Sequence, residues 1–220
     1  MNSPLCFCAK AYRFLFVILQ NSTGLYPLYL QLVNMNIEII AASPRKESIT
    51  YRLALYLQKY LREKTEHRVN IIDVRDWPLP MQQQVFSNPG NAPQALLPMV
   101  QRMFAANAFI MVSPEYNGSY TSALKNLFDH FPKQTHKTFG IATASPGALG
   151  GIRASQQMQL LINALFGIAS PYMLITPFVD KKFDADGNLT EPAFQNNIDV
   201  FVSEFLWLAE SLAEEFQSIN

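Results

Sequence analysis

The chain is poor in cysteine. Among 220 residues only Cys6 and Cys8 carry a thiol, both near the N-terminus. Disulfides therefore do not hold the core, and a reducing compartment, the cytoplasm, is expected. A C-x-C pair can be a fragment of a metal site, but His67, His130 and His136 lack ligand spacing relative to it, so no metal is expected. Charge is also scarce. Only 15% of residues are charged, and 17 basic residues balance 17 acidic ones. No large basic field exists to attract nucleic acid, and no like-charged block forms a tail. The apolar run Phe14 to Leu19 spans only six residues, and no small-x-small cleavage site follows it cleanly. It is too short to cross a bilayer and short for a signal-peptide core, so no stable membrane insertion is expected. Two glycine motifs are missing as well. With no G-x-G-x-x-G and no G-x-x-x-x-G-K-[ST], neither a dinucleotide fingerprint nor a P-loop is supported.

Apolar residues are plentiful, at 49% of the chain, which is enough for a full core. Their setting changes at Met35. The first 34 residues contain Lys10 and Arg13 and no carboxylate, and the remainder holds 15 basic and 17 acidic residues. Met35 directly precedes a strand-like run, so translation is expected to start there naturally and the upstream stretch to be a start-site artefact. A short targeting or membrane-contact segment is the alternative. The expected division is an extension over 1–34, outside the fold, and one domain over 35–220.

From Met35 onward short apolar runs alternate with helical patterns. Strands are expected at Ile37 to Ala42, Val69 to Val74, Ala108 to Val112, Thr138 to Thr143 and Tyr172 to Thr176. Helices are expected from Ile49 to about Glu66, Ala95 to Ala106, Thr121 to Phe131, the end of a glycine-rich loop to near Gly167, and Pro192 to about Phe216. Ile198, Val202, Phe205, Leu208 and Leu212 form one stripe on the last helix. Five strands alternating with five helices imply an α/β fold, a three-layer doubly wound five-stranded parallel sheet. Such sheets bind ligands beyond the carboxyl ends of their strands. That rule selects the loops Ser43 to Ser48, Ser113 to Gly118 and Ser145 to Gly151.

Each loop has a functional and a plain reading. In the first, hydroxyls of Ser43, Ser48 and Thr50 and the backbone N–H groups at the helix start, Ile49 and Thr50, can surround a phosphate, with Arg45 adding charge. The plain reading is a helix cap at Ser48. In the second, Pro114-Glu115-Tyr116-Asn117-Gly118 offers peptide groups to the edge of a heteroaromatic ring, while Asn117-Gly118 is also a common turn pair. In the third, glycines after Ser145, beginning at Gly147, permit close approach to a flat ligand, or merely form a tight strand-to-helix turn. Asp129 and His130 sit within a helix without a nucleophile and read as structural.

Together the loops resemble the NADPH-dependent FMN reductase family, which includes quinone, azo-compound and chromate reductases. Ser43, Arg45 and Ser48 match its G-S-x-R-x-x-S-x-N phosphate loop, while Ala42 and Thr50 depart from its Gly and Asn. Pro114 to Asn117 match its P-E-Y-N loop, and Leu124-Lys125-Asn126-Leu127-Phe128-Asp129 its L-K-N-x-x-D block. Gly150-Gly151-Ile152-Arg153 match its Gly-Gly-x-Arg segment, and Trp77-Pro78-Leu79-Pro80 keep part of an L-P-x-P segment. The resemblance implies a flavodoxin-like fold. It implies FMN with its phosphate at Ser43 to Thr50 and its ring against Pro114 to Gly118, Ser145 and Gly147. It also implies NADPH or NADH as co-substrate, a small quinone-like acceptor, and a homodimer or homotetramer. The flavin would carry the chemistry, with no dedicated catalytic side chain. The competing reading is a flavin-binding electron carrier or a non-catalytic module on the same fold. Surplus apolar surface for an oligomer is expected on the helix from Tyr120 to Phe131 and on the last helix, at Phe201, Phe205, Trp207 and Phe216.

Overall fold

Every residue of Ala108–Ser113 is buried, as a strand covered on both faces requires. The computed structural model that shows this describes residues 17–21, 24–28 and 34–219, with side chains from 34 to 213. Cys6, Cys8 and the start of the Phe14 to Leu19 run lie outside the described residues. The chain divides into two compact units between Val33 and Asn34. In the first, β1 (Val17–Asn21) pairs antiparallel with β2 (Gly24–Leu28). The sequence reading assigns no element there; Val17, Ile18 and Tyr26 supply strand preference on both sides of the pair.

The second unit runs β3 (Asn36–Ala41), α1 (Thr50–Lys64), β4 (Arg68–Asp73), α2 (Leu97–Ala105), β5 (Ala108–Ser113), α3 (Ser122–Asp129), β6 (Thr138–Ser145), α4 (Ile152–Ala164), β7 (Ile168–Ala169), β8 (Leu174–Pro177), α5 (Val179–Lys182) and α6 (Gln195–Ile219). All its strands are parallel, in the order β4-β3-β5-β6-β7, and β8 also pairs with β6. The expected fifth strand, Tyr172 to Thr176, is thus corrected to two short pieces. β7 pairs with Thr138 and Phe139, and β8 with Ala142 to Ser145. Pro171 lies between them and has no N–H to donate to the ladder. Counted as one interrupted edge strand, they complete the 2-1-3-4-5 order of flavodoxin-like sheets.

Period-two alternation sorts the strand side chains onto two faces. Ile40, Phe109, Met111, Phe139 and Ile141 form one core with α2, α3 and α4. α1 and α6 cover the opposite face. There the absence of a side chain at Gly140 allows close packing, since a Cβ would lie 3.0 Å from the Phe201 ring and 3.1 Å from Phe205. Phe201 and Phe205 are therefore core residues, each 0% exposed. This corrects the expectation that they are surplus surface: they fill the room that Gly140 leaves. Of the aromatics singled out on the last helix, only Trp207 stands exposed among the described side chains.

Candidate functional site

The three expected loops leave the carboxyl ends of β3, β5 and β6, which are adjacent in the sheet. Topology alone therefore brings them to one edge. Hydroxyl groups then brace them. Thr121 caps α3 by accepting from the Leu124 N–H at 3.2 Å, and its own hydroxyl donates to the Ala42 carbonyl at 2.6 Å, joining the second loop to the first. Thr50 is buried and its hydroxyl lies 3.5 Å from the Ala144 carbonyl. That side chain braces β6 instead of facing outward with the phosphate donors, because its place in the first turn of α1 points it at the sheet.

In the first loop Ser43 is buried and Arg45, Lys46 and Glu47 are exposed. Ser48 accepts from the Tyr51 N–H at its hydroxyl and at its carbonyl, each at 3.3 Å. The plain cap reading is thus correct for Ser48 as an acceptor, and its hydroxyl hydrogen stays free to donate. No acceptor meets the N–H of Ile49 or Thr50 among the described residues. These amides open a 15-residue helix whose dipole favours an anion at that point.

The second loop is a two-residue turn. Tyr116 and Ser119 exchange hydrogen bonds at 2.8 and 3.1 Å, and Asn117 (φ 52°) and Gly118 (φ 80°) occupy the left-handed region. Both central residues at positive φ make the reversal that Asn-Gly favours. The Tyr116 N–H is spent inside the turn, so the backbone donors left there are those of Glu115, Asn117 and Gly118. The Tyr116 hydroxyl is buried and has no hydrogen-bond partner among the described residues. An open pocket of about 450 Å³ beside this loop is lined by Tyr116, Asn117, Ser119, Tyr120, Ser122 and Lys125. A second pocket, of about 430 Å³, lies between α1 and the segment before α6. Four of its polar side chains pair with one another, Tyr56 with Gln195 at 2.6 Å and Lys59 with Asn188 at 3.0 Å.

The third loop reaches α4 through Gly150 and Gly151, with φ of 60° and 88°. A Cβ at Gly151 would lie 2.9 Å from Thr143, so both conformation and space demand glycine. Ser145 accepts the Gly147 N–H at 3.0 Å, which closes the loop and removes that amide from any ligand edge. Gly147 itself has ordinary room, since a Cβ would lie 3.4 Å from the Ser145 hydroxyl.

Two side-chain contacts knit the loops, and neither follows from sequence spacing. The Arg45 guanidinium stacks 4.7 Å from the Tyr116 ring centre. Glu115 accepts the backbone N–H of Arg153 at 3.0 Å and of Ala154 at 3.4 Å, and meets the Arg153 guanidinium at 3.2 Å. It caps α4 from a different loop. Much of the L-K-N-x-x-D block acts as scaffold, although Lys125 also lines the pocket beside the second loop. Asn126 accepts from the Gln82 N–H at 3.0 Å and donates to the Pro80 carbonyl at 2.8 Å, holding the proline loop. Lys125 pairs with Asp129 one turn on, and buried His130 bonds the Asn126 carbonyl at 2.7 Å. The structural reading of Asp129 and His130 therefore agrees with their contacts.

The donor set suits FMN: free amides, two hydroxyls and a guanidinium for a phosphate, and unpaired peptide groups with a buried, partnerless phenol for a polar flat ring. The profile of the NADPH-dependent FMN reductase family matches residues 35–176. The chain belongs to that family. FMN is accordingly its cofactor, reduced nicotinamide its hydride source, and the protein an oxidoreductase. An FMN-dependent NADPH-azoreductase of Staphylococcus saprophyticus is 29% identical over 177 residues, covering 76% of this chain and 92% of the relative. The Staphylococcus aureus enzyme of the same name is 29% identical over 179 residues, with the same coverage of 76% and 92%. In fold, the chain is similar to the flavoenzyme NAD(P)H:(acceptor) oxidoreductase FerB from Paracoccus denitrificans, with a TM-score of 0.67 and 22% identity, covering 80% of this chain and 98% of that one.

Proposed function

We propose that this reductase binds FMN across the three loops and passes electrons from NADPH or NADH to a small quinone-like or azo acceptor. The observation that carries the reading is the unpaired donor set at the start of α1, joined through Arg45 and Tyr116 to the second loop. Ser43, Ser48, Arg45 and the Ile49 and Thr50 amides would hold the phosphate. Backbone groups of Pro114 to Gly118 and of Ser145 would meet the ring edge, and the pocket beside Tyr120 and Lys125 would admit nicotinamide or acceptor. FMN held there would supply the hydride-transfer chemistry between nicotinamide and acceptor. The chain supplies position and excludes water.

Residues 35–220 would be the flavin domain, supported by a family match that begins at 35 and by the unit boundary at Val33. A second copy of the chain would pack on the outward face of α4. Ile152 and Leu160 are 46% and 62% exposed there, and the helix carries one charge, Arg153, which Glu115 engages. No helix among the described residues is long and apolar enough to cross a membrane. The cytoplasm, where reduced nicotinamide is abundant, is the proposed compartment.

The test is direct. Purified protein is titrated with FMN by flavin fluorescence, then assayed for NADPH and NADH oxidation with a quinone and with an azo dye. FMN binding with acceptor-dependent oxidation is expected. Binding without oxidation would favour the electron carrier, and no binding would favour the non-catalytic module.

A further inference from the structure

The stretch Pro44 to Glu47 is exposed and makes almost no hydrogen bonds of its own. Among the described residues one hydrogen bond tethers it, from the Arg75 guanidinium to the Lys46 carbonyl at 2.9 Å. Arg75 lies two residues beyond the end of β4 and is held on three sides. Its Nε lies 2.9 Å from both oxygens of buried Asp73, and a second guanidinium nitrogen also pairs with that carboxylate. Its backbone N–H donates to Asp73 at 3.0 Å. Its flat face lies 4.5 Å from the centre of the Tyr51 ring, in the first turn of α1. Asp73, Arg75, Tyr51, Ser43 and Ser48 together line a crevice under the loop that is too narrow to admit a water.

We propose that Arg75 is a positioning residue for the phosphate loop: it ties Lys46 to the end of β4 and so presents the amides and hydroxyls of Ser43 to Thr50 to the FMN phosphate. The inference rests on the FMN reading of that loop. Asp73 neutralises most of the Arg75 charge at close range, so its effect is geometric. Arg75 serves a carboxylate edge, a carbonyl and an aromatic face at once, which a planar fork can do and an ammonium cannot. Without it, the four consecutive residues Pro44 to Glu47 must be ordered by the ligand itself, and that ordering opposes binding.

The experiment compares FMN and riboflavin affinity, at several salt concentrations, for the parent protein, Arg75→Ala and Arg75→Lys. Both variants should bind FMN roughly tenfold more weakly while riboflavin affinity holds, since only the phosphate needs the loop. The salt dependence of FMN affinity should stay parallel to the parent, because Arg45 still supplies the charge. Recovery of parental FMN affinity in Arg75→Lys would mean that charge alone matters, and would overturn the proposal. So would equal losses for both ligands, or a flattened salt dependence. If Arg75→Ala does not fold, Arg75→Gln is read in the same way. Parental affinity in the variants sinks this inference alone; no FMN binding by the parent sinks the loop reading with it.

Discussion

At the amino end of the sheet Glu38 meets Arg102, His67 lies 3.0 Å from Glu210, and Lys137 donates to Gln134 at 3.0 Å. At the carboxyl end, among the described residues, Arg45 meets the Tyr116 ring and no carboxylate, and the first amides of α1 meet no acceptor. Both ends hold charges by contacts within the chain, the carboxyl end through Asp73 with Arg75 and Glu115 with Arg153. The carboxyl end also leaves donors open at the start of α1 among the described residues. A folded chain tolerates unpaired donors where a ligand or water can take them, and only at the surface. The open donors at the carboxyl end support the proposed FMN edge on grounds separate from any motif.

The contrast is broken most severely at Glu38. Its carboxylate is buried on β3 and engages Arg102, whose guanidinium also donates to the Ile71 carbonyl at 2.7 Å. Glu38→Ala should lower unfolding stability by about 3–5 kcal/mol, because it strands a partly buried guanidinium. Denaturant melts read this directly, and a loss under about 1 kcal/mol would mean that the amino end does not depend on pairing.

Lys137 tests the same end through pH. Burial lowers its ammonium from 10.5 to about 8. Between those values the unfolded chain keeps the proton that the native chain sheds, so native stability rises with pH across that window. Wild type should gain on Lys137→Met by on the order of 2–3 kcal/mol from pH 8 to 10.5. The raised tyrosines Tyr51, Tyr56, Tyr60 and Tyr120 act in the opposite sense but are common to both proteins. A pH-independent difference would show that the ammonium is solvated in the native state.

At the carboxyl end Arg45→Ala should leave stability within about 0.5 kcal/mol and reduce FMN affinity by about tenfold or more, with a much smaller loss for riboflavin. Equal losses for the two ligands would remove Arg45 from the phosphate. The smallest effect belongs to Glu115, which is both a cap and a link between loops. Glu115→Ala should cost about 1 kcal/mol of stability, as lost caps do. It should weaken FMN and riboflavin alike, because it loosens loops that face the ring. A loss confined to FMN would place Glu115 in the phosphate site instead.

The doubly wound order and the family were legible in residues 35–176, because strand and helix periods and short loop motifs are local properties of the chain. Ala154, Met158, Leu161 and Leu165 recur at helical spacing in the sequence, and all four are buried. Thr121 before Leu124 is a cap spacing that sequence could have flagged, and Asp73 with Arg75, two apart at a strand end, share a side. Their partners could not be read. Thr121 reaches Ala42 across 79 positions, Glu115 reaches Ala154 across 39, and Arg75 reaches Lys46 across 29. Phe201 and Phe205 looked like surplus surface because nothing near them in sequence announces Gly140 opposite. Local periodicity, which depends on close neighbours in sequence, determined the elements and the sheet edge to which the three loops come. Which donors stay open at that edge was decided only by tertiary structure, because a hydrogen bond is made or missed by distance in space, and sequence separation does not report it.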